Sequence, residues 1–246
     1  MNLPDPAELF SALDTTWPAK SSRDVDGWLL REGAGGGKRV SATSPLRPDS
    51  DITLAEAEMR RRGQVPLFRL GAGDAVIDAQ LAGQGYRILD PTLIYLAPVA
   101  KLARKPGPVS LFPLWPPLAI MRDIWATGGI GPARLAVMTR AQGAKTGFVA
   151  RIDDRAAGVG FCALHGDLAM LHAVEVLPLH RRKGVGALIL RGAAHWAQSH
   201  GARWLALAVT ETNTPARTLY SCIGMEVAAR YHYREKTEHE RENHRA

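Results

Sequence analysis

Cysteine is nearly missing from this 246-residue chain; Cys162 and Cys222 are its whole supply. Two thiols cannot build a disulfide framework. Both lie inside predicted elements and read as buried, reduced side chains rather than as a disulfide or a nucleophile. No Cys or His stands at zinc-like spacing, so no metal is expected. No apolar run is long enough to cross a bilayer, which excludes a membrane span. The first residues, Met1-Asn-Leu-Pro-Asp-Pro, carry neither the basic nor the apolar region of a secretory signal, and a cytoplasmic protein is expected.

Acidic residues are in deficit, 24 Asp and Glu against 31 Lys and Arg, for a formal charge of +7. Such a balance suits either nucleic acid or a polyanionic small molecule. The basic residues are scattered, at 60–62, 101–105, 181–183 and 230–245, without the interleaved aromatics of a single-strand binder. Nucleic acid is therefore not the expected partner. The segment 237–246 mixes both signs without apolar residues and reads as a loose tail.

What is present is concentrated in Val176-Leu-Pro-Leu-His-Arg-Arg-Lys-Gly-Val-Gly186. Residues 168–176 are apolar enough for a buried strand. Leu188, Ile189, Ala193, Trp196 and Ala197 then recur at helical spacing. Between them, Arg181, Arg182, Lys183, Gly184 and Gly186 form a basic, glycine-containing turn at a helix N-terminus, where free amides and the helix dipole favour an anion. The turn is neither a G-x-x-x-x-G-K-[ST] loop nor a G-x-G-x-x-G fingerprint.

The pattern Arg181-x-x-Gly184-x-Gly186 resembles the pyrophosphate-binding motif of the GNAT superfamily, the CoA-dependent N-acetyltransferases. The order around it matches as well. Val176-x-Pro178 precedes the loop. The helix, an apolar strand (204–209), Asn213, Ala216-Arg-Thr-Leu-Tyr220, Gly224-Met225 and an alternating strand (229–234) follow. The resemblance runs from about Gly147 to Arg234. It implies an α/β fold with a mixed sheet in the C-terminal half, and acetyl-CoA as cosubstrate with no metal. It further implies acetyl transfer to a primary amine by direct attack in a ternary complex. The acceptor is a small-molecule or peptide amine, not further specified, and oligomeric state is left open. The alternative is a non-catalytic module that binds acyl-CoA as a sensor.

The site residues follow from the same resemblance. Cofactor contacts fall on Val174, Val176, Arg181, Arg182, Lys183, Gly184, Val185, Gly186, Ala187, Asn213, Ala216 and Tyr220. Asn213 is equally a helix cap ahead of Pro215. Tyr220 matches the family tyrosine that protonates the departing thiolate, and is otherwise a packing residue. Leu171-His172-Ala173 resembles the arylalkylamine branch, whose histidine deprotonates the amine; His172 is otherwise a hydrogen-bonded core residue. Glu175 reads as a base, an anchor for the substrate ammonium or a salt-bridge partner.

A GNAT domain leaves about 100 residues in surplus. Pro98–Pro117 is proline-rich and basic and reads as a boundary, giving domains at 1–100 and 101–236. Upstream, Asp51–Arg62 reads as a capped helix ended by Gly63. Gly33–Gly37 reads as a hairpin turn between strand-like runs 27–31 and 39–42. Strand 65–70, helix 75–83, Gly85-Tyr86 and strand 92–97 echo the order of 204–234, with Leu81 opposite Tyr220. The first half thus reads as a smaller, degenerate GNAT-like α/β domain in tandem with the second, or as a family-specific extension of similar order.

Overall fold

The computed structural model describes residues 3–236. Helices are α1 (Pro6–Thr16), α2 (Lys38–Ser41), α3 (Ile52–Arg61), α4 (Ala75–Gly83), α5 (Val99–Leu102), α6 (Ala119–Thr127), α7 (Pro132–Arg140), α8 (Val185–Ser199) and α9 (Thr214–Cys222). Strands are β1 (Ser21–Val25), β2 (Trp28–Glu32), β3 (Ser44–Pro45), β4 (Leu67–Gly71), β5 (Arg87–Pro98) and β6 (Leu111–Leu114). They continue with β7 (Lys145–Ile152), β8 (Arg155–His165), β9 (Leu168–Val176), β10 (Trp204–Thr210) and β11 (Glu226–Glu235). The architecture is a mixed α/β fold.

Two compact units divide the chain. The first holds residues 3–18, 94–209 and 213–228; the second holds 19–93, 210–212 and 229–236. In the first, β5, β10, β9, β8, β7 and β6 lie side by side in that order. The pair β9–β10 is parallel, whereas β6–β7, β7–β8 and β8–β9 are antiparallel. Side chains alternate across a sheet. On β8, Gly158 and Gly160 face Val185 and Ile189 of α8, and Phe161 on the opposite face meets Trp17 beyond α1. Helix α8 therefore covers one face and α1 the other. α6 joins α1 there, with Met121 and Trp125 against Gly147. Helix α1 begins with a full capping box, Asp5 with Glu8, and buries Leu9, Ala12 and Leu13 completely.

In the second unit, β1, β2 and β3 form an antiparallel sheet, and β4 pairs with β11 from Tyr231 opposite Gly71 to Glu235 opposite Leu67. Its core is Trp28, Leu30, Met59, Phe68, Leu70, Leu81 and their neighbours. Trp28, Phe68 and Tyr86 stack edge to face at 5.2 and 5.3 Å.

Several expectations change. Residues 3–18 pack in the first unit because the apolar stripe of α1 is buried there. The hairpin lies at Asp26-Gly27, with φ of 48° and 84° and Val25 opposite Trp28; Gly33–Gly37 leads into α2, so residues 39–42 are not a strand. The stretch Pro98–Pro117 contains α5 and β6. Pro113 is tolerated because β6 is an edge strand. Cys162 is buried and Cys222 exposed, both as free thiols. Burial holds the Cys162 thiol well above its ordinary range. The expected tail 237–246 lies outside the described residues.

Candidate active site

Strand β9 carries an irregularity at the point where the chemistry is expected. Phe161 pairs with His172 and Val159 with Glu175, so β9 spends three residues where β8 spends two. The extra residue is a β-bulge, with Ala173 at φ 50°. A non-glycine residue held there needs support from its surroundings. Trp125, fully buried on α6, donates its indole N–H to the Ala173 carbonyl at 2.8 Å. Beside the bulge, β9 and β10 pair only over Leu168–Met170 and Trp204–Ala206 among the described residues. Both strands run on past that point, to Val176 and Thr210. They part, and the main chain of β9 from His172 to Val176 no longer pairs with β10.

The basic turn follows directly. A short 3₁₀ turn (Pro178–His180) leads into Arg181–Gly184, with Arg182 at φ 63° and Gly184 at φ 81°. Gly184 is the N-cap of α8. Its left-handed backbone suits glycine, and no side chain caps the helix. A β-carbon at Gly184 would meet nothing within 4 Å. The first-turn amides, from Gly184 through Val185 and Gly186 to Ala187, have no carbonyl in their own helix to bond. Arg181 is turned back toward β9. Its Nε donates to the Val176 carbonyl at 3.2 Å, and its Nη2 lies 3.5 Å from Glu175 Oε1. The Glu175 carboxylate occupies the space over Gly128 that a side chain would fill. Arg181 is largely exposed, so this ion pair contributes little stability and exchanges readily.

Helix α9 lies against the same turn. A β-carbon on Gly186 would stand 3.0 Å from Leu219 Cδ2. Asn213 caps α9, its Oδ1 accepting from the Ala216 amide at 3.2 Å, with Pro215 in the first turn. Tyr220 is buried, with its ring edge-to-face on Tyr95 at 5.6 Å. Burial, reinforced by the Tyr95 phenol, pushes the Tyr220 hydroxyl up to about 12. Among the described residues that hydroxyl has no hydrogen-bond partner.

Strand parting, bulge and uncapped helix start stand together in the stretch that the acetyltransferase (GNAT) family matches, residues 118–225. The fold is that of the GNAT acetyltransferases. A GCN5-related N-acetyltransferase from Kribbella flavida superposes with a TM-score of 0.73 at 15% identity, over 96% of each chain. A tandem GNAT protein from the clavulanic acid biosynthesis pathway gives 0.60 at 15% identity, covering 93% of this chain and 87% of that one. In sequence, the chain is 27% identical over 233 residues to the uncharacterized N-acetyltransferase YobR of Bacillus subtilis (strain 168), covering 90% of this chain and 94% of that protein.

Within the GNAT fold, the residues singled out from the sequence fall on three adjoining elements. Val174, Glu175 and Val176 lie on the parted end of β9. Arg181 through Ala187 form the turn and first helical residues, and Asn213, Ala216 and Tyr220 lie on or at the start of α9. His172 is 3% exposed, on the α1 side of the sheet. Its Nε2 is 2.8 Å from Thr16 Oγ1, and its ring packs on Trp17 at 5.1 Å and on Phe161 at 6.3 Å. Sequence reasoning missed Thr16, Trp17, Trp125, Gly128 and Tyr95. Trp125 belongs to an apolar helical stripe, Met121, Ile124 and Trp125, that was readable. Nothing in the sequence ties Thr16 to a residue 156 positions away. Among the described residues no helix is long and apolar enough to cross a membrane, and no cluster of three or more His, Cys, Asp or Glu is placed to hold a metal.

Proposed function

We propose that the chain is an acetyl-CoA-dependent N-acetyltransferase that moves an acetyl group to a primary amine by direct attack in a ternary complex. The observation that carries this reading is the parting of β9 from β10 immediately before an uncapped helix N-terminus. The parted strand offers extended main chain to a linear amide-containing arm, and the turn offers amides and three cations to a pyrophosphate. Bound acetyl-CoA would supply the activated thioester and its thiolate leaving group.

In this reading the amides from Gly184 to Ala187, with Arg181, Arg182 and Lys183, hold the pyrophosphate. The main chain of Val174–Val176 pairs with the pantetheine arm, and an amide there polarises the thioester carbonyl. Asn213 and Ala216 border the arm while Asn213 keeps α9 capped. The amine nitrogen attacks the carbonyl carbon; the N–C bond forms and the C–S bond breaks. Tyr220 donates a proton to the departing sulfur, which its raised pKa permits throughout the neutral range. His172 takes the amine's proton, directly or through water. Glu175 is held by Arg181 and anchors the incoming ammonium when a phosphate draws Arg181 away. The first half serves as a degenerate GNAT-like repeat. Its strand–helix–strand order from β4 to β5 and the likeness to a tandem GNAT protein support that assignment. A cytoplasmic setting accompanies this reading.

The test is amine-dependent release of free CoA thiol from acetyl-CoA, across a panel of small primary amines and peptides. Wild type should release thiol, and Tyr220→Phe should lose about 10²–10⁴ in kcat with cosubstrate affinity kept. Tight acetyl-CoA binding with no release for any amine would replace transfer by acyl-CoA sensing.

A further inference from the structure

Arg181 stands apart from the other two cations of its turn. Arg182 and Lys183 form no ion pair among the described residues. Arg181 instead reaches back to β9, with Nη2 at 3.5 Å from Glu175 Oε1 and Nε donating to the Val176 carbonyl at 3.2 Å. Nε–H and Nη2–H lie parallel on one edge of the planar guanidinium. They make up the fork that grips a carboxylate or a phosphate side-on.

The groups that this fork covers stand at the open strand end. Val176 lies opposite Gly158, and the Leu177 amide donates to the Ala157 carbonyl at 3.0 Å. In an antiparallel ladder that pattern marks Val176 and Gly158 as a pair without mutual hydrogen bonds, so the Val176 amide and carbonyl point away from β8. That is the side from which β10 has parted. Arg181 thus covers the last outward carbonyl of β9. Glu175 is kept within its reach by Gly128, the C-cap of α6, where a side chain would collide with the carboxylate. A helix C-terminus disfavours a carboxylate, and Arg181 is the counter-charge that offsets this placement.

We propose that Arg181 is a latch whose fork holds either Val176 and Glu175 or a phosphate of the cosubstrate, never both. This rests on the reading of the turn as the seat of the pyrophosphate. Binding of the pyrophosphate then uncovers the Val176 carbonyl for the pantetheine arm and frees the Glu175 carboxylate. The two ends of the cosubstrate are coupled through one side chain, and the hold of β9 on Arg181 lowers the apparent affinity for any anion at the turn.

The test is calorimetric titration of the full chain with acetyl-CoA and, separately, with inorganic pyrophosphate. Glu175→Gln keeps the shape but weakens the hold on Arg181, so it should tighten both probes by about 1.5- to 5-fold, the size of an exposed ion pair. Arg181→Gln should weaken both by about 10-fold, and adding Glu175→Gln to it should change nothing further. Unchanged or weaker binding by Glu175→Gln overturns the latch, since the fork would then serve strand and phosphate together. Equal tightening with and without Arg181 also overturns it, because the carboxylate would then act on the anion directly. A second readout is the Arg181 Nε–H signal of wild type in nitrogen–proton NMR, assigned by its loss in Arg181→Gln. It should move on saturation with pyrophosphate, and an unmoved signal contradicts the proposal independently of Glu175→Gln. If pyrophosphate shows the stated pattern but acetyl-CoA binds none of the proteins, the latch stands and the cosubstrate reading falls. If neither probe binds wild type, both fall.

Discussion

Tyr220 shows how burial tunes one side chain toward the role proposed for it. Its ordinary pKa of 10.0 rises to about 12, first because burial penalises the phenolate and then because Tyr95 lies beside it. The shift favours the neutral form in the native state. The stability linked to it is fully present below pH 10, the unfolded value, and is lost as pH rises toward about 12. An alkaline absorbance titration of wild type minus Tyr220→Phe should therefore show a phenol that ionises near pH 12. A transition near pH 10 would show that Tyr220 is solvated and unsuited to the role assigned to it. The residue itself was legible in the sequence because its place after Asn213 and Ala216 follows a recognisable pattern. Its neighbour Tyr95 was not, because ring contacts across strands and helices leave no local spacing to read. Glu175 is similar: the sequence left three roles open, and the structure supplies one partner, Arg181, at 3.5 Å.

At the level of elements, the bulge on β9 is the feature on which the open strand end depends. Replacing Trp125 by Phe keeps most of the packing but removes the N–H that satisfies the Ala173 carbonyl. Leaving that acceptor unpaired should cost about 1–3 kcal/mol, visible as a lowered denaturation midpoint. If the bulge shapes the cosubstrate slot, acetyl-CoA affinity should fall by more than stability alone explains. A Trp125→Phe protein with wild-type affinity would separate the bulge from binding. The bulge was not foreseen, since Leu-His-Ala-Val-Glu-Val alternates no differently from an unbulged strand. Helix α8, by contrast, was readable from its apolar spacing and the glycines before it, and the observed Val185–Ser199 agrees. The hairpin was misplaced for a physical reason. Five residues with four glycines (33–37) drew attention, yet the two-residue turn with both φ positive is built by Asp26-Gly27, the pairing such turns favour.

For the whole molecule, the sequence left the first eighteen residues with the N-terminal half, whereas α1 is part of the unit that carries β9. Its N-terminal signals were present in Asp5, Pro6 and Glu8, but nothing local says which sheet its apolar stripe will meet. Leu13→Ala, at a fully buried position, should lower stability by about 2–5 kcal/mol. Unchanged unfolding in chemical denaturant would contradict the burial described for α1. The proline-rich stretch after residue 98 reads as a boundary in the sequence, and in the structure it supplies α5 and the edge strand β6. Function rests on a single claim, that the turn from Arg181 to Ala187 holds the pyrophosphate of acetyl-CoA. The measurement that tests it most directly is thermal unfolding with and without acetyl-CoA at about a hundred times its dissociation constant, for wild type and Gly186→Glu. Wild type should gain about 2.7 kcal/mol, seen as a midpoint raised by several degrees. The variant, whose added carboxylate repels the phosphates and whose side chain runs into Leu219, should show no gain over its own unliganded midpoint. An equal rise in both proteins would place the cosubstrate elsewhere, and no rise in either would contradict the account.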